Sequence, residues 1–173
     1  VTPLVQAEPS EFIEFFVNTF EKAYEKFSLE ELGNDQQYKS KREWLTETAI
    51  DELKDAETGN QNSYYLLFSA DKQIVAYLAF HLEDDGKVVY LGQGCIDPKF
   101  WGTKGTSYAI NKVVPEYAPK ATLCTLLVRK LNAHAIAVYE HLGFKKDKTN
   151  KLVRQHRYSE EHYIGMSKEL PLK

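Results

Sequence analysis

Residues 122–144, TLCTLLVRKLNAHAIAVYEHLGF, constrain the fold more than any other stretch. Thr122 to Val128 is a continuous apolar run of strand length, as expected of a strand buried on both faces. A short helix follows, and both of its ends are marked. Asn132 is a good N-cap, because its side-chain oxygen can accept a bond from an orphan amide of the first turn. Gly143 sits where a left-handed residue stops a helix, and Phe144 comes next, where an apolar ring can pack back on the last turn. Ile136, Tyr139 and Leu142 fall on one face between those ends and are expected as its core side. A buried strand feeding a capped helix requires a sheet with helices laid against it.

The rest of the chain supplies them. Residues 9–27 carry Ile13, Phe16, Val17, Phe20, Tyr24 and Phe27 at helical spacing. Ser40-x-x-Glu43 is a capping box opening a second helix, with Trp44, Leu45, Ala49 and Leu53 as its inner face. From Ser63 the period changes to two. Tyr64 to Ala70 and Gln73 to Glu83 read as strands joined at Asp71-Lys72. Asp84-Asp85-Gly86 is a hairpin turn before a third strand, Lys87 to Asp97. Gly92 and Gly94 inside that strand mark a bulge or a close backbone approach. A helix starting near Thr106 should kink or end at Pro115. Two last strands are expected at 144–148 and 162–168, separated by a polar connection. The order is α-α-β-β-β-α-β-α-β-β: an α/β (α+β) mixed sheet, mostly antiparallel, with helices on both faces, and one domain over 1–173.

Composition narrows the function. Apolar residues make up 43% and charged residues 27%, and the net charge is −3, so no general attraction to nucleic acid or to an anionic membrane is expected. No apolar run is long enough to span a bilayer, and no secretory leader is evident. Cys95 and Cys124 lie inside apolar runs, without metal-ligand spacing, and read as buried free thiols. The expectation is a cytoplasmic protein that holds no metal.

Gly102-Thr103-Lys104-Gly105-Thr106-Ser107 lies between a strand and a helix. Backbone amides and the positive end of a helix dipole converge there, which suits phosphate. The loop has neither the lysine spacing of a P-loop nor a dinucleotide fingerprint. It is followed, at suitable spacing, by Asn132-x-x-Ala135-x-x-x-Tyr139-x-x-x-Gly143-Phe144. Together the two segments resemble the GCN5-related N-acetyltransferase (GNAT) family. That family's pyrophosphate loop is patterned Gln/Arg-x-x-Gly-x-Gly/Ala. Here Gly102 stands at the first marker, Gly105 at the second and Ser107 at the third, so one of three matches, with Lys104 as a substitute charge. Asn18 to Tyr24 and Tyr163 to Leu170 are further similar to small bacterial acetyltransferases of the polyamine type.

The resemblance implies acetyl-CoA as cosubstrate. The 102–107 loop would hold its pyrophosphate, Asn132 and Ala135 its pantetheine arm, and the end of the third strand, Cys95-Ile96-Asp97, its thioester. A backbone amide near Cys95 or Ile96 would polarise the carbonyl. Tyr139 would protonate the departing thiolate, although the same residue also reads as a core tyrosine. Many family members carry a glutamate as general base where this chain has Gln93. The alternatives are His81, Glu83, a water held by Gln93, or an amine that arrives partly neutral. The implied activity is acetyl transfer to a primary amine, a polyamine or other small amine, by direct attack in a ternary complex. The alternative is a non-catalytic acyl-CoA sensor. A homodimer is open.

Overall fold

In the computed structural model, residues 1–100 and 104–170 are described. The elements are β1 (Thr2–Pro3), α1 (Pro9–Ala23), α2 (Lys41–Thr58), β2 (Ser63–Ala70), β3 (Gln73–Glu83), β4 (Val88–Ile96), α3 (Gly105–Tyr108), α4 (Val114–Tyr117), β5 (Leu123–Arg129), α5 (Ala133–His141), β6 (Lys145–Lys146), α6 (Lys151–Gln155) and β7 (Tyr163–Glu169). The strands form one seven-stranded sheet in the order β1-β2-β3-β4-β5-β7-β6. β5 runs parallel to β4 and antiparallel to β7. The parallel ladder joins Val88–Leu91 to Leu123–Leu126, while β4 continues to Ile96 and β5 to Arg129. The expected mixed sheet flanked by helices is thus present.

The chain divides into two compact units, Val1–Ala79 with Gln93–Thr103 and Phe80–Gly92 with Lys104–Lys173. In the first, α1 buries Phe12, Phe16, Val17 and Phe20, and α2 buries Leu45, Ala49 and Ala56. Tyr77 of β3 meets Phe12 edge-on at 4.9 Å between ring centroids. Burying such rings contributes roughly 1.5–3 kcal/mol each. The capping box forms as expected. Ser40 Oγ accepts from the Glu43 amide at 3.1 Å. The Glu43 carboxylate reaches one residue further back than the motif requires, accepting from the Lys39 amide at 3.0 Å. Gly59 ends α2 at φ 68°.

In the second unit the core is Val89, Leu91, Cys124, Leu126, Val128, Phe144, Val153 and Met166. Three expectations need correcting. Of the kink or end expected at Pro115, the end does not occur. Ala109–Val113 is a π-helical segment in which the Val114 amide reaches five residues back to the Ala109 carbonyl, and α4 continues through Pro115. One extra residue in the turn accommodates the ring and the missing amide. The polar connection after Phe144 contains α6, whose Leu152 covers Gly165 of β7: a Cβ at Gly165 would lie 2.8 Å from Leu152 Cβ. Finally, β1 adds an edge strand that no periodicity announced, pairing Thr2 and Pro3 with Leu67 and Leu66.

Candidate active site

The helix α5 is held at both ends by its own sequence. Asn132 Oδ1 accepts from the Ala135 amide at 3.1 Å, which leaves the Asn132 amide nitrogen as the side-chain atom able to donate to a ligand. At the other end the Phe144 amide donates to the Tyr139 carbonyl and the Gly143 amide to the Glu140 carbonyl, each at 3.0 Å, with Gly143 at φ 99°. This is a Schellman stop. Its accompanying apolar contact is the edge-on pair of Tyr139 and Phe144, 5.5 Å between centroids. Phe144 is buried, yet no residue of α5 is. Ile136 and Leu142, expected as core, are half-buried with Ala135, Val138 and Tyr139.

Of the expected phosphate loop, Gly102 and Thr103 lie outside the described residues. Lys104 is exposed and its carbonyl accepts the Tyr108 amide at 2.8 Å. Gly105, Thr106 and Ser107 open α3 and are half-buried. Ser107 Oγ accepts from Asn111 Nδ2 at 3.1 Å, and Asn111 Oδ1 accepts from Lys168 Nζ at 3.2 Å. Sequence reading assigned neither Asn111 nor Lys168 to this region. Their link crosses 57 residues of sequence, and spacing carries no signal at that range.

The base candidates His81 and Glu83 come together around a third residue, His156. Its ring stacks on Tyr90 with centroids 3.7 Å apart and planes 11° apart. Its buried Nε2 stands 3.7 Å from Glu83 Oε1 without a hydrogen-bond partner among the described residues. Burial pushes the His156 pKa below its ordinary 6.5. Glu83 opposes that shift, and His81 reinforces it.

In the first unit, Gln93, Cys95 and Ile96 are half-buried on the last part of β4. The Asp97 amide is already committed to the Val75 carbonyl at 2.8 Å, and its carboxylate to the Lys99 amide at 3.0 Å. The polarising amide that the family resemblance implies, near Cys95 or Ile96, lies just before Asp97 at the end of β4. Burial pushes the Cys95 thiol far above its usual range and the Cys124 thiol up to about 12. Neither is available as a thiolate nucleophile near neutral pH.

The same unit holds a carboxylate that sequence reading missed. Glu52 of α2 accepts a hydrogen bond from the Tyr77 hydroxyl at 3.0 Å. Burial pushes its pKa up to about 7; the Tyr77 bond pulls against that shift, and Asp55 and Asp51 add to it. The signal was present in the sequence. Glu52 lies on the same helical stripe as Leu45, Ala49 and Ala56, the buried residues of α2.

The profile of the acetyltransferase (GNAT) family matches residues 19–144. Solved structures of the same fold agree. A PaiA N-acetyltransferase from Thermoplasma acidophilum, in complex with coenzyme A, is 16% identical with a TM-score of 0.67, over 93% of this chain and 92% of its own. An acetyltransferase from Streptococcus agalactiae is 16% identical, TM-score 0.66, over 95% and 94%. An acetyltransferase from Thermus thermophilus is 14% identical, TM-score 0.62, over 98% and 95%. No curated protein matches the sequence.

Proposed function

Because this chain belongs to the GNAT acetyltransferase family, we propose that it transfers the acetyl group of acetyl-CoA to a primary amine of a small molecule, a polyamine or a similar cation, by direct attack in a ternary complex. The observation that carries this reading is the doubly capped helix α5. Its two stops fix Asn132 and Tyr139 two turns apart on a helix whose apolar side is only half-buried. In this reading the Asn132 amide nitrogen donates to the pantetheine arm. The Tyr139 hydroxyl gives its proton to the departing sulfur. The amides of Cys95 and Ile96 polarise the thioester carbonyl, and Lys104 with Gly105, Thr106 and Ser107 faces the pyrophosphate. Direct attack is favoured over a thioester on the enzyme because desolvation holds both thiols protonated.

The test has two stages. Millimolar acetyl-CoA should raise the unfolding temperature by several degrees, since ligand at about a hundred times Kd adds about 2.7 kcal/mol. No shift sinks the cofactor assignment. Thiol release is then followed over polyamines, amino acids, aminoglycosides and peptides. Release with polyamines above all others supports the reading, and Tyr139→Phe should lower kcat with little change in acetyl-CoA affinity. Gln93 at the position of the usual base favours one rival, an acyl-CoA sensor. Binding without turnover on every amine would establish that rival.

A further inference from the structure

We propose that Glu52 is the general base of this enzyme, taking the proton from the acceptor ammonium beside the thioester. The proposal rests on the reading that the carbonyl lies at the amides of Cys95 and Ile96. Within one compact unit, α2 carries Glu52, β3 carries Tyr77 and the end of β4 carries Cys95. Tyr77 is 2% exposed, and Cys95 packs against the same core cluster. The Tyr77 hydroxyl fixes one carboxylate oxygen of Glu52 at 3.0 Å, leaving the other to accept from a ligand. Glu52 itself is half-buried and so accessible from one side. Through Tyr77 the carboxylate is tied to the core cluster against which Cys95 and Tyr65 of β2 also pack.

The neighbourhood suits the task. The titratable groups acting on Glu52 are Tyr77 from β3 and Asp55 and Asp51 from its own helix. Glu52 in turn favours the neutral forms of Tyr65 and Cys95. No cation is among these groups, so the carboxylate keeps its affinity for an arriving ammonium. A base poised near neutral pH combines a useful ionised fraction with proton affinity. Gln93, on the neighbouring strand, is an amide and takes no proton.

The step balances as follows. The ammonium gives one proton to the Glu52 carboxylate, which passes it to water. The nitrogen lone pair forms the C–N bond at the thioester carbon. On collapse the C–S bond breaks, and nitrogen loses its second proton to water. The sulfur takes the Tyr139 hydroxyl proton, which water replaces. The products are the amide, free CoA thiol and one net proton.

The experiment is a pH profile of kcat/KM for the best amine, for wild type, Glu52→Gln and Tyr77→Phe, beside acetyl-CoA titrations of each. We expect wild type to gain activity through an apparent pKa of about 7. Glu52→Gln should lose about 100-fold or more at pH 7 and keep its acetyl-CoA affinity. Its remaining limb should move to the alkaline range of the free amine. Tyr77→Phe should shift the wild-type limb upward by about one unit, as expected when a bond to the charged form is lost. If wild type turns over while Glu52→Gln keeps both rate and limb, Glu52 is not the base. If wild type releases no thiol with any amine, the proposed function itself falls, and this role with it.

Discussion

Two half-buried titratable groups, one in each compact unit, answer desolvation in opposite ways. Glu52 is hydrogen-bonded to Tyr77, and His156 lies flat on Tyr90. Desolvation is the first cause at both, and at both it favours the neutral form. The neutral form of an acid holds a proton, whereas that of a base does not. The Glu52 pKa therefore rises to about 7 and the His156 pKa falls below 6.5. For Glu52, the stabilising contribution is full below its ordinary 4.5 and is lost as pH rises through about 7. For His156 the contribution is present above 6.5 and is lost as pH falls. One physical cause gives two stability profiles of opposite slope.

The largest effect that could break this comparison is at Glu52. In Glu52→Gln the decline in stability between pH 4.5 and 8 should shrink by up to about 3 kcal/mol relative to wild type. Denaturant unfolding at several pH values measures it, and an unchanged slope would show that Glu52 does not titrate as described. Next comes Gly165→Ala, which drives a Cβ into Leu152 Cβ and Cδ1, at 2.8 and 2.9 Å. A cost of about 1–3 kcal/mol is expected, read as a lower unfolding temperature. The displaced α6 should also move His156 off Tyr90, visible as altered chemical shifts of both rings. Removing the phenol in Tyr77→Phe should cost about 1 kcal/mol, with the Glu52 pKa rising further. Smallest is His156→Phe, which keeps a ring on Tyr90. Stability at pH 8 should stay within about 0.5 kcal/mol, while the loss below pH 6.5 flattens. A slope identical to wild type would assign that loss to another group.

The same two regions show what was legible in the chain. The Ser40 capping box, the Asn132 cap and the Gly143-Phe144 stop are local, and each formed where its residues stood. The period change at Ser63 located β2 to β4 for the same reason. Glu52 went unread because a carboxylate in a charged helix resembles solvated surface; only the stripe of Leu45, Ala49 and Ala56 reveals that it faces inward. His156 was unreadable. It is placed by α6, a five-residue helix whose position depends on the small size of Gly165 in a strand ten residues beyond its end. Gln93 stands on β4 where many family members carry the base, and the base proposed instead, Glu52, comes from α2, an element distant in sequence.

The π-helical turn at Ala109–Val113 has a consequence for the loop before it. Each helical residue turns the chain by about 100°. A helix with one residue to spare thus stores a phase. Deleting a residue from 109–113 would restore ordinary pitch and leave the core positions of α4 in place. It would also swing Gly105–Tyr108 about a quarter of a turn around the helix axis. The direction in which Gly105, Thr106 and Ser107 present their amides is thus encoded downstream, by the turn that makes room for Pro115.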